Sequence, residues 1–77
     1  MKTTFAINLG GNRVVFVVNR PHEGGFFSVT HNNEVICDGY QSDGRVYFSS
    51  MSKKVEFFQE IFETKVIKSL KRVQKTI

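Results

Sequence analysis

Up to residue 48 the chain alternates between short apolar runs and turn residues. TTFAINL, NRVVFVV, FFSVT, EVICDGY and RVYFS are rich in β-branched and aromatic residues, and several of them alternate apolar with polar positions. Gly10-Gly11, the polar stretch from Arg20 to Gly25, His31-Asn32-Asn33 and Asp43-Gly44 separate them. Period-two runs between such residues read as strands joined by tight turns. From residue 52 the period changes. Val55, Phe58, Phe62, Val66, Leu70, Val73 and Ile77 recur every three or four residues and form one stripe on a helix. Ser52 stands where an N-cap belongs. All six glycines and the single proline precede Arg45, so nothing breaks that helix. The pattern predicts an α+β fold in a single domain, 1–77. A five-stranded antiparallel β-meander occupies 1–50, and one long C-terminal amphipathic α-helix, 52–76, packs on one face.

Turn lengths predict the register. A two-residue Gly10-Gly11 turn sets Ile7 opposite Val14 and Phe5 opposite Phe16. A three-residue turn over His31 to Asn33, with Asn33 left-handed, sets Val29 opposite Val35 and Phe27 opposite Cys37. Asp43-Gly44 then brings Val46 and Phe48 to the same face. The expected helix-covered face is Phe5, Ile7, Val14, Phe16, Val18, Phe27, Val29, Val35, Cys37, Val46 and Phe48. One helix covers only one side of such a sheet. The other side carries Val15, Val17, Phe26, Ile36, Tyr40 and Tyr47, an apolar set of the kind that marks an interaction surface when it is contiguous.

Charge adds a second candidate surface. The formal net charge of +4 comes entirely from the last third, because residues 52–77 hold seven basic and three acidic groups while residues 1–51 hold four of each. Lys65, Lys68, Lys71, Arg72 and Lys75 fall within about 120° of helical arc. No Glu stands three or four residues from any of them, so like charges neighbour one another at roughly 0.2–0.5 kcal/mol per pair. An acidic partner would relieve that cost. Glu56, Glu60 and Glu63 precede the basic residues, an order the helix macrodipole also favours. A helix of about 35 Å over strands of ~22 Å would overhang the sheet with its basic end unless it lay diagonally.

Composition narrows the chemistry. Seventy-seven residues with 40% apolar content and eight Phe make a folded domain with little room for a catalytic cleft. Cys37 is the only cysteine, so one chain forms neither a disulfide nor a cysteine zinc cage. His22, His31 and Cys37 lack ligand spacing. The glycine pairs lie in hairpin turns and not between a strand and a helix, where phosphate-binding loops occur. No nucleophile-base set is legible, and no cofactor or small-molecule substrate is implied. The opening MKTTFAINLGG is far shorter than a signal peptide or membrane span, so a cytoplasmic protein with no membrane contact is expected.

The expected function is a small non-enzymatic binding protein, a regulator or inhibitor that contacts another protein or a second copy of itself, as a homodimer. Accessory proteins of phages and mobile elements that modulate a host machine are commonly of this size and class. The alternative is nucleic-acid binding by the basic helix together with the sheet aromatics.

Overall fold

A computed structural model describes residues 2–21 and 25–74. Strands β1 (Lys2–Leu9), β2 (Asn12–Asn19), β3 (Phe26–His31), β4 (Glu34–Ser42) and β5 (Arg45–Met51) form one antiparallel sheet in sequence order. A 3-10 helix, Lys53–Phe58, leads into helix α1, Gln59–Gln74. Ser52 caps this entry. Its backbone is extended and its hydroxyl accepts from the Lys54 N–H at 3.1 Å.

Two-residue turns set the register of three hairpins. Gly10 and Gly11, Asn32 and Asn33, and Asp43 and Gly44 all have positive φ, the backbone that matches a tight turn to the right-handed twist of its strands. The β1–β2 pairing is continuous and as predicted, with Ile7 opposite Val14 and Phe5 opposite Phe16.

The β3–β4 hairpin departs from expectation. Its turn has two residues and not three, since His31 pairs with Glu34. The register then shifts: Thr30 pairs with Val35 but Val29 pairs with Cys37, which leaves Ile36 as the extra residue of a bulge. Ile36 turns into the core at 4% exposure, whereas Val35 is 54% exposed on the open side. The predicted places of these two neighbours are therefore exchanged. Cys37 keeps its predicted face, and Phe27 lies opposite Gly39 instead of Cys37. A second shift, at Ser49, lets Asp38 pair with Ser50 while Gly39 pairs with Phe48.

The bulge also anchors the exit from the sheet, because the Ser52 N–H donates to the Ile36 carbonyl at 2.8 Å. From there the chain crosses to β1 and β2, over which α1 chiefly lies. Val55, Phe58, Phe62, Val66 and Leu70 of the predicted stripe are all buried. Phe62 meets Phe5 at 5.8 Å and Phe16 at 5.3 Å between ring centroids, both edge-on. Such a side chain, fully buried, contributes roughly 1.5–3 kcal/mol.

Up to Leu70 the helix does not overhang the core. β1 and β2 have eight residues each and β4 nine, more than the predicted strands, and α1 has sixteen, about 24 Å at 1.5 Å per residue. Ser69 and Leu70 are still buried at 2% and 0% exposure, so α1 rests on the core at least that far. Ile77 and Lys75 lie outside the described residues.

Candidate interaction surfaces

Pairing across the strands orders the side chains of the uncovered face into rows. Phe26, Tyr40 and Tyr47 are directly opposed on β3, β4 and β5. Tyr40 and Tyr47 stack at 4.9 Å with their planes 20° apart, and Phe26 lies 6.1 Å from Tyr40. Their exposures are 69%, 40% and 41% for Phe26, Tyr40 and Tyr47. Beside them runs a polar row, Asn19, Ser28, Asp38 and Ser50, in which Ser50 Oγ donates to Asp38 Oδ2 at 3.4 Å. Beyond that comes Thr4, Val17, Thr30 and Val35, and then Ala6 with Val15.

The six residues expected to share one patch are thus divided. Phe26, Tyr40 and Tyr47 form an aromatic strip. Val15 is exposed and Val17 half-buried on the far side of the polar row, and Val35 joins them. Ile36 belongs to the core. Only the register could show the separation, because a strand's own alternation does not say which residue stands beside which on its neighbour.

On the helix, Lys65, Lys68 and Lys71 are exposed, and none has an ion-pair partner among the described residues. Arg72 lies in the last turns of α1. An ion pair joins Lys54 Nζ to Glu34, 2.8 and 3.0 Å from its two carboxylate oxygens. It is solvent-exposed and contributes less than about 1 kcal/mol. Because α1 buries its stripe against the inner face, its exposed lysines and the aromatic strip lie on opposite sides of the molecule. A single short ligand does not reach both.

Two exposed apolar residues escaped the sequence reading. Phe57 is 81% and Ile61 54% exposed. With Glu56, Glu60 and Glu63 they border an open depression at the start of α1. They stand outside the dominant stripe, and their surplus over it was the available signal.

No family model, curated protein or solved structure matches the chain.

Titratable groups near the sheet have structural roles. His31 Nδ1 lies 3.1 Å from the Val15 carbonyl and Nε2 3.3 Å from the Asn32 amide nitrogen. An imidazole protonated on Nδ1 donates to the carbonyl and accepts from the amide, so both ring nitrogens are used. Burial pushes the Cys37 thiol up to about 12, with the Asp38 and Glu63 carboxylates adding to it. A thiol held so is a poor nucleophile. Among the described residues no group of three His, Cys, Asp or Glu side chains is placed to hold a metal ion, and no helix is long and apolar enough to cross a membrane.

Proposed function

We propose that this protein is a non-enzymatic regulator or inhibitor that docks on another protein through the open face of its sheet. The observation that carries the reading is the Phe26–Tyr40–Tyr47 strip, three rings in register on the side that the helix leaves uncovered. Aromatic residues that keep few rotamers free and combine apolar area with a hydroxyl are favoured anchors at protein interfaces. The polar row beside the strip supplies hydroxyl and carboxylate partners at its rim. Such a protein acts by occupancy, so its effect on the partner scales with the amount bound.

The test is affinity capture from cells of the source organism with wild type and with Phe26→Asp combined with Tyr47→Asp. Nuclease treatment and circular dichroism run alongside. A captured protein that survives nuclease and is lost from a folded double variant supports the reading. Retention of that protein by the folded double variant, or full alteration of a target by substoichiometric amounts with multiple turnovers, overturns it.

A second reading draws on the unpaired Lys65, Lys68 and Lys71. If they grip a phosphate backbone, DNA or RNA binds with affinity that falls steeply with salt, and Lys68→Glu with Arg72→Glu abolishes it. Absence of binding at low salt removes this reading.

A further inference from the structure

The two edges of the sheet differ. On β5 the ladder is interrupted by the shift at Ser49, while β1 runs through eight residues without a bulge or proline, and its outer edge pairs with no strand among the described residues. Between Thr3 and Leu9 β1 carries no charge. Long, regular edges of this kind are templates for another strand unless something guards them.

The direction of the free backbone groups follows from the turn. Leu9 and Asn12 close a two-residue hairpin, so they form a hydrogen-bonded pair, and bonded and non-bonded pairs alternate from there. Leu9, Ile7, Phe5 and Thr3 thus bond to β2. Asn8, Ala6, Thr4 and Lys2 point their N–H and C=O groups out from the sheet.

What overlooks that edge is positive. α1 lies chiefly over β1 and β2, with the Phe62 ring against Phe5 of β1 and Phe16 of β2, and Glu63 stands on the flank toward β4, where its carboxylate adds to the rise of the Cys37 thiol. At about 100° per residue Ile61, Lys65 and Lys68 lie 140–200° round the helix from Glu63, on the flank turned toward the free edge. Both lysines are exposed and neither has an ion-pair partner among the described residues. Two copies joined edge to edge would bring these flanks together and oppose like charges, which disfavours self-pairing. An extended acidic segment meets no such opposition.

We infer that the β1 edge is a docking site for an extended acidic segment of a partner protein, which adds as a sixth strand beside Lys2–Leu9 with carboxylates reaching Lys65 and Lys68. The site is distinct from the aromatic strip and stands or falls without it. Main-chain bonds to Thr4, Ala6 and Asn8 give the segment its register, and the lysines select its charge.

The test uses a ten-residue peptide of alternating valine and glutamate and its valine–lysine counterpart, each titrated into the isotopically labelled full chain. The acidic peptide is expected to shift the amides of Thr4, Ala6 and Asn8 and to bind at least tenfold more tightly than the basic one, with affinity falling as salt rises. Lys65→Glu with Lys68→Glu should weaken it tenfold or more. Ala6→Pro, which removes an N–H that β2 does not use, should abolish it, whereas Phe26→Asp with Tyr47→Asp should leave it unchanged. No binding of the acidic peptide at millimolar concentration overturns the inference. So do equal affinity for the two peptides, binding indifferent to the lysine substitutions, or sedimentation of the free chain as a dimer paired through β1.

Discussion

The ring of Phe27 lies directly on Gly39: a β-carbon added to Gly39 would stand 2.6 Å from Phe27 Cζ and would also strike the Tyr47 carbonyl. Phe27 owes its 3% exposure to that vacancy, and Phe48 meets it edge-on at 6.0 Å. Gly39 is thus required for space and not for an unusual φ.

Gly39→Ala is accordingly expected to destabilise the fold by about 1–3 kcal/mol, the usual range for overpacking. In a domain of this size each kcal/mol lowers Tm by about 4–8 °C. Calorimetry of the variant, and of Gly39→Ala combined with Phe27→Leu, checks the cause. The second change should recover part of the loss, and a single variant that melts like wild type would refute the contact.

Val35 and Ile36 provide a test of the bulge. Ile36→Ala should cost about 2–5 kcal/mol, as for other buried aliphatic truncations, while Val35→Ala should stay within about 0.5 kcal/mol. Urea denaturation of the two variants reads the difference directly. The reverse order would restore the register expected from a three-residue turn.

Asn33 has φ of 65° at the second turn position, where the two other hairpins carry Gly11 and Gly44. Glycine adopts that backbone without the β-carbon cost, so Asn33→Gly should raise stability by a few tenths to about 1 kcal/mol, and Asn33→Val should lower it by more. Thermal melts of both variants decide this.

Cys37 gives a pH dependence with a defined sign. Well below pH 9.0 the thiol is protonated in the folded and the unfolded chain. Between there and about 12 the unfolded chain releases a proton that the folded one keeps, so this group's contribution makes stability fall as pH rises through that window. Cys37→Ala should lose the slope, measured by denaturant unfolding from pH 8 to 11. Native Cys37 should also resist a thiol reagent at pH 8 that labels the unfolded chain at once.

Much of the architecture was legible because it rests on local rules. The alternation in VVFVV and the three-to-four spacing from Val55 to Leu70 are periods that only a strand and a helix bury on one side. Turn residues placed the hairpins, and Ser52 marked the helix entry. The continuous β1–β2 register followed from Gly10-Gly11 alone.

The rest depended on neighbours far along the chain. Whether Val35 or Ile36 turned inward was undecided by EVICDGY, in which three apolar residues stand in a row. The Asn32-Asn33 turn sets one register, the bulge changes it, and Ser52 closes on the Ile36 carbonyl only in the assembled fold. The same register split the expected apolar patch by placing Asn19, Ser28, Asp38 and Ser50 between its halves.

By itself the sequence determined which segments are strands and which a helix, and which stripe of that helix is buried, because propensity, turn chemistry and apolar period act over a few residues. Only the tertiary structure decided which outward residues stand together and that Lys65, Lys68 and Lys71 lie on the side of the molecule opposite the aromatics. Those relations are set by strand pairing and by the seating of α1 on β1 and β2, where residues dozens of positions apart share one surface.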